Sequence, residues 1–485
     1  MLTLADILEA LSSVRPNWAT QVITEADIDS RHVIPGSMFI ALPGEHTDGH
    51  SYIEEAFARG AIVALVQRPI KLEQTPEKPL YILDFRKLEA GREQLNQIKG
   101  DVSPDSRFCI LVVDSLKAMQ QVAYFWRRRL DLKVIGITGS VGKSTTKELV
   151  AEVLNQRYRT LKNPGNLNNE IGLPLTLLSL SEGHERAVLE MGFYVSGEIA
   201  FLCDLALPQI GIVTNIGPVH AERAGSMEAI AHGKAELVQS LPAAPDGIAI
   251  LNIDDPLVRE MASQTRAQVF FYGLDPKADI WADDVEGLGL EGIRFQLHYR
   301  GEVLHIRVPM IGRHSVHTVL RAAAVGLVDG LTWQEIVRGL RSASVQLRLV
   351  AVRTAKGALI LDDTYNASPQ SNMAALNLLE ELEGRKVAVL GDMLELGRYS
   401  WQGHEMVGVR AAEVVDELVC VGELSTIIAD AAKEAGLPEE RITLLENSQQ
   451  VIDYLQARLS SGDVVLIKGS RGMHMDNIVA ELEER

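Results

Sequence analysis

Residues 133–156 constrain the fold most: KVIGITG reads as an apolar strand, GSVGK as a glycine-punctuated turn and STTKELVAEVLNQ as a helix. A strand feeding a helix through a tight turn is the repeating unit of a parallel α/β sheet. The turn, Gly139-Ser140-Val141-Gly142-Lys143-Ser144-Thr145, suits a phosphate cradle. Glycines let the backbone wrap an anion, and successive N–H groups at the positive end of the helix stabilise it. Lys143 is placed to reach the terminal phosphates, and Ser144 or Thr145 to set a hydroxyl on Mg²⁺. The strict pattern puts its first glycine at 137, which is Ile here, so Gly139 supplies the loop glycine instead. Alone, such a turn is equally a glycine-rich connection; its place between strand and helix favours a nucleoside triphosphate.

The same rhythm recurs. AVLEMG (187–192), IGIVTNI (210–216), GIAILNI (247–253) and QVFFYG (268–273) are short apolar runs between helical stretches, as in a buried parallel sheet. LEGIRFQLHYRGEVLHIRV predicts an antiparallel hairpin turning at Arg300-Gly301. ALILDD (358–363), KVAVLGD (386–392), ELVCVG (417–422) and DVVLIKG (463–469) predict a further doubly wound sheet. FIAL (39–42) and AIVALV (61–66) predict a smaller α/β region before them. Two stretches read as boundaries: 67–107, polar with Pro69, Pro76, Pro79 and Pro104 around a charged helical piece, and 326–332, GLVDGLT, whose Thr332 opens a capping box with Glu335. The expectation is an α/β chain of three domains: a small N-terminal one over 1–112 with an insertion around 83–107, a central P-loop ATPase-like one over 113–328 with a mostly parallel sheet, and a C-terminal Rossmann-like one over 329–485.

A net charge of −18 argues against nucleic-acid binding and against an anionic membrane surface, yet leaves room for local cations to hold phosphate. The three cysteines are far apart in sequence and form no CxxC, which fits a reducing cytosol. The N-terminal stretch carries Asp6 and Glu9 in a helical pattern and does not read as a signal peptide. No apolar run reaches the ~18 residues a span requires. A cytoplasmic monomer without membrane insertion is expected.

TGSVGKSTTKE resembles the phosphate loop of the Mur ligases, enzymes of peptidoglycan synthesis. Collinear blocks extend the resemblance over most of the chain: DSR (29–31), GEHTDGH (44–50), KNPGNLNNEIGLP (162–174), TNIGPVHAE (214–222), HGKAEL (232–237), LNIDDP (251–256), GRHSVH (312–317), DDTYNASP (362–369), GDMLELG (391–397) and IKGSRGM (467–473). DDTYNASP, GDMLELG and KGSRGM together resemble the member that adds D-alanyl-D-alanine to UDP-N-acetylmuramoyl-tripeptide, and the DNPR motif of a diaminopimelate-adding member is absent. The resemblance implies that ATP phosphorylates the tripeptide carboxylate and that the dipeptide amine attacks the acyl phosphate.

It also implies roles. Lys143, His220 and Arg348 would be catalytic, with Arg348 on the γ-phosphate; Ser315, Asp363 and Tyr365 would join residues 139–145 around the nucleotide. Mg²⁺ would take Ser144, Glu190, His220 and, if carbamylated, Lys234. Ser30, Arg31, Thr47, Asp48 and His50 would hold the uridine diphosphate end, since the forked guanidinium of Arg matches a diphosphate. Asn168, Asn169 and Asn366 would contact substrate, and Lys468, Ser470 and Arg471 would orient the incoming dipeptide. Position alone leaves plainer readings open: a solvated strand-end Glu190, a structural His220, a solvated helix Lys234, turn-forming asparagines. Ser315, Thr318 and Ser368 stand where the family commonly has Asn, which puts the adenine contact at 315 in question. Two alternatives remain at this level: a Mur-type amide ligase with another acceptor, and a P-loop regulatory NTPase.

Overall fold

Short apolar runs become parallel strands in both units of the computed structural model, which describes residues 1–44, 47–70, 79–98, 102–219, 221–342 and 350–483. One unit comprises Met1–Ile135, Tyr158–Gly192 and Ala200–Pro208; the other comprises Gly136–Arg157, Phe193–Ile199 and Gln209–Arg485.

In the first unit a five-stranded parallel sheet runs Ala26–Asp27, Met38–Ile40, Val63–Val66, Arg107–Leu111, Leu80–Asp84. Phe39, Ile53, Ala56, Phe57, Ala64 and Cys109 form a core on it. The 67–107 stretch is therefore no boundary: it adds the Leu80–Asp84 edge strand and the Leu88–Gln97 helix to this sheet. Its polarity misleads because an edge strand is half solvated, with Ile82 47% exposed, and because the helix buries only Gly91 and Leu95. The parallel pairing of Thr160–Lys162 with Arg186–Glu190 brings Glu190 to a strand end.

In the second unit the strands Ile210–Val213, Ile248–Asn252, Gln268–Gly273 and Ile280–Gly287 pair in parallel, in that order. Ile280–Gly287 then pairs antiparallel with Ile293–Tyr299, which forms the expected hairpin with Glu302–Val308. Arg300 and Gly301 both have positive φ (49° and 85°), the turn geometry that keeps the twist of the two strands. The Val316–Val328 and Trp333–Leu340 helices pack on the Lys143–Leu154 helix. Gly339 permits it: a Cβ there would stand 2.5 Å from Val153 Cα. The capping box anticipated at Thr332 and Glu335 is formed.

The C-terminal sheet of the same unit runs Val350–Arg353, Leu359–Asp363, Asp463–Lys468, Arg385–Gly391, Glu417–Val421, Ile442–Leu445, all parallel except the first strand. Separate apolar clusters cover its faces, one around Leu376, Leu390 and Val407, the other around Val389, Val465 and Ile478. Asp363 and Lys468 close adjacent parallel strands at their C-terminal ends, where open α/β sheets bind ligands.

Candidate functional site

The Lys133–Thr138 strand ends in a loop whose two glycines are dictated by geometry. Gly139 has φ +143°, and a Cβ on it would stand 1.9 Å from Thr214 Oγ1. Gly142, at φ +83°, occupies the N-cap of the Lys143–Leu154 helix, and no side chain caps that end. A helix start without a capping side chain is the kind of end at which backbone amides can receive an anion.

A second segment splints the loop. Ser140 N–H donates to Asn215 O at 2.9 Å and Val141 N–H to Asn215 Oδ1 at 3.0 Å. Thr214 Oγ1 and Asn215 Nδ2 donate to Val141 O at 2.7 and 3.0 Å, and Ser140 Oγ accepts from Gly217 N–H at 2.8 Å. Thr214 and Asn215 were not singled out from the sequence; their signal is a Thr-Asn pair just after the apolar strand Ile210–Val213.

Two lysines converge on one carbonyl. Lys143 Nζ donates to Gly139 O at 2.8 Å, and Lys234 Nζ donates to the same oxygen at 3.0 Å. Lys234 is 2% exposed, so its position on the Met227–Gln239 helix is not a solvated one. Burial, and then the charge of Lys143, hold its ammonium well below the usual lysine range.

Around the loop lies a cavity lined by Ser140–Thr145, by Ile311, His314, Ser315 and Thr318, and by Asp363, Tyr365, Asn366, Leu378 and Lys468. Polar loop groups and apolar side chains thus share one concavity, as a nucleotide's phosphates and base require. Ser315 Oγ donates to Ile311 O at 2.7 Å, which spends its proton and leaves it an acceptor. Lys468, 1% exposed, donates to Asp363 Oδ2 at 2.6 Å and to Asn366 O at 2.9 Å. It therefore braces the Asp363–Asn366 turn. Asn366 Oδ1 accepts from Ala367 N–H at 2.9 Å. Ser368 is the N-cap of the Pro369–Glu381 helix, a place where Ser and Asn serve equally, so its departure from the family pattern is neutral. Ser470 Oγ accepts from Leu394 N–H at 2.8 Å, and the Arg471 guanidinium lies 5.9 Å from the Tyr365 ring centre.

In the first unit, Asn168 Nδ2 donates to Glu190 Oε1 at 2.9 Å, and Glu190 is 2% exposed rather than solvated. Asn163, which sequence reasoning passed over, exchanges bonds with the Glu190 backbone at 2.9 and 3.2 Å. Asn169 Oδ1 accepts from Gly172 N–H at 2.9 Å, at the start of the Gly172–Leu178 helix. Ser30 Oγ donates to Glu55 at 3.0 Å, and Arg31 is exposed and forks onto Asp29. Thr47 is exposed. His50 accepts from Gln67 N–H at 2.9 Å through Nε2, so its Nδ1–H donates to Asp48 at 2.7 Å; Asp48 also pairs with Arg68. His220 and Arg348 lie outside the described residues.

The described residues contain no group of three or more His, Cys, Asp or Glu arranged to hold a metal, and no helix among them is long and apolar enough to cross a membrane.

Known proteins share this architecture. Residues 22–107, 137–326 and 347–471 match the Mur ligase family catalytic domain, the Mur ligase middle domain and the Mur ligase glutamate ligase domain. A UDP-N-acetylmuramoyl-tripeptide–D-alanyl-D-alanine ligase of Bacillus subtilis is 35% identical over 97% of this chain and 95% of its own. The crystal structure of MurF from Acinetobacter baumannii superposes with a TM-score of 0.82 at 30% identity over 100% of both chains. The MurF ligase of Thermotoga maritima in complex with ADP superposes with a TM-score of 0.76 at 26% identity over 98% of both. This chain belongs to the Mur ligase family.

Proposed function

We propose that the chain is an ATP-dependent amide-forming ligase that adds D-alanyl-D-alanine to UDP-N-acetylmuramoyl-tripeptide in peptidoglycan precursor synthesis. One observation carries the reading: near-full-length similarity to ligases of that name coincides with a phosphate loop opening into a cavity that Asp363 and Lys468 also line. In this reading the amides of residues 140–145 hold the phosphates, and Lys143 leaves the carbonyls of Gly139 and Ser140 to pair with them. Ser315 accepts from the adenine amino group, Asp363 and Tyr365 orient the nucleoside, and Arg348 meets the γ-phosphate. The carboxylate oxygen of the tripeptide attacks the γ-phosphorus and ADP leaves. The dipeptide amine then attacks the acyl carbon and phosphate leaves. Asn168, Asn169 and Asn366 contact the substrates, Ser470 and Arg471 the dipeptide, and Ser30, Arg31 and Thr47–His50 the uridine diphosphate.

Bringing a carboxylate to a phosphate costs about 4 kcal/mol at ~4 Å and an effective dielectric near 20. In this reading Mg²⁺ would draw on hard oxygens such as those of Ser144 and Glu190, since this ion takes one or two protein ligands plus phosphate oxygens and water rather than an all-protein cage. When bound, it neutralises phosphate charge. His220 and carbamylated Lys234 complete the set in this reading. The depressed ammonium of Lys234 keeps a neutral amine available to add CO₂ and release a proton.

The test is phosphate release and product mass with each component omitted in turn. Turnover is expected only with ATP, the UDP-muramoyl-tripeptide and D-alanyl-D-alanine together. Equal turnover with another amino acid in place of the dipeptide overturns the acceptor assignment. Phosphate release without any acceptor overturns the ligase reading.

A further inference from the structure

We propose that Arg321 is a positioning residue of the nucleotide pocket: a buried cation behind the phosphate loop that finds its counter-ion in bound polyphosphate. The inference rests on the nucleotide reading above and extends it to a residue that no motif marked. Arg321 lies about one turn beyond Thr318 on the Val316–Val328 helix, which Ser315 precedes, and is 4% exposed. Its Nη2 donates to Thr318 Oγ1 at 2.7 Å, and its Nη1 lies 3.4 Å from the Tyr272 hydroxyl. Its Nε has no hydrogen-bond partner, and no carboxylate pairs with the guanidinium among the described residues.

An isolated buried charge is costly, and a fold that keeps one ordinarily supplies an anion. The surroundings point to which anion. Arg321 Nη2 lies 3.4 Å from where a Cβ on Gly142 would stand, directly behind the turn that opens the phosphate helix. Tyr272 donates to Thr214 O at 3.1 Å, and Thr214 in turn donates to Val141 O, so the guanidinium backs the same splint that shapes the loop. Thr318 lines the cavity and accepts from Arg321, so the guanidinium is tied to the cavity wall. The positive charge therefore acts across the loop backbone, where low dielectric preserves it, and its effect grows with the number of phosphates bound.

The experiment compares full-length wild type with Arg321→Met, Arg321→Gln and Arg321→Lys. Affinities for ATP, ADP and AMP come from calorimetry, KM for ATP and kcat from phosphate release, and melting temperature from nucleotide-free samples. Arg321→Met and Arg321→Gln are expected to lose ATP affinity about tenfold, on the order of 1.4 kcal/mol. Their AMP affinity and kcat should hold, and Arg321→Lys should keep most of the preference for ATP. Because the substitution removes a buried charge that no carboxylate pairs among the described residues, Arg321→Met should melt no lower than wild type without nucleotide. An unchanged ATP-to-AMP ratio, an equal loss for AMP, or an Arg321→Met protein that fails to fold overturns the proposal. A wild type that does not prefer ATP to AMP overturns the nucleotide reading itself, and Arg321 falls with it.

Discussion

At the scale of single residues, the phosphate loop is set by what its glycines exclude. At Gly139 the backbone is left-handed and the space for a side chain is already taken by Thr214. Gly139→Ala is expected to lower ATP affinity by about tenfold or more, because both the positive φ and the collision displace the loop amides. Adding Thr214→Ala removes the 1.9 Å collision but leaves the Thr214 Cβ at 2.9 Å and its backbone nitrogen at 3.0 Å, so it should restore little. Calorimetric titration of both proteins with ATP decides; full recovery in the double variant would show that only the side-chain clash mattered. The loop was legible because its chemistry is written in consecutive residues. Lys234 and Arg321 were not read as buried: a cation on a helix looks solvated until the fold shows which face is covered. The motif around Lys468 implies a role toward the dipeptide, and its pairing with Asp363 becomes visible only once two strands distant in sequence lie side by side.

At the scale of elements, strands and helices with an apolar run or a cap signal were legible, and strands without a clean apolar run were not. Ile280–Gly287 lies inside its sheet but carries two aspartates and a glutamate, and Ile442–Leu445, the outer strand of its sheet, is short and only partly buried. The Trp333–Leu340 helix was legible from its cap, which ties it to the phosphate-loop helix. Arg157, just beyond that helix, donates to both oxygens of Glu335 at 2.9 and 2.5 Å, while Thr332 donates to Glu335 through its N–H and hydroxyl. The Arg157 bonds, and then those of Thr332, depress the Glu335 carboxyl to about 2. A depressed carboxyl stabilises the fold above its unfolded value near 4.3, and the contribution disappears as the pH falls toward the folded value. Glu335→Gln should therefore melt below wild type at neutral pH, with the gap closing as the pH drops through that window. Melting curves across the acid range check it; a gap independent of pH would assign the loss to packing instead.

At the scale of the whole molecule, the proposed function asks an acidic protein with net charge −18 to bind two polyanions, so its cations have to be placed locally. The cavity around the phosphate loop is lined entirely by residues of the second unit, while Ser30, Arg31 and Thr47–His50 belong to the first. The two anions should therefore be separable by substitution. Arg31 is the sharper probe: exposed, it forks onto Asp29, whose carboxyl is held far below the usual range by that contact, so the guanidinium is already set in the planar, bidentate geometry a diphosphate would take over. Arg31→Ala is expected to raise KM for the UDP-linked substrate by about tenfold or more, the scale of a lost charge-assisted contact. ATP affinity should stay at the wild-type value. Melting temperature should barely move, since an exposed ion pair between neighbours in sequence contributes little to stability. Initial rates with one substrate varied at a time, set beside calorimetry with ATP, separate these outcomes. A loss shared by both ligands would mean that Arg31 acts through the fold, and an unchanged KM would move the diphosphate site away from residues 29–31.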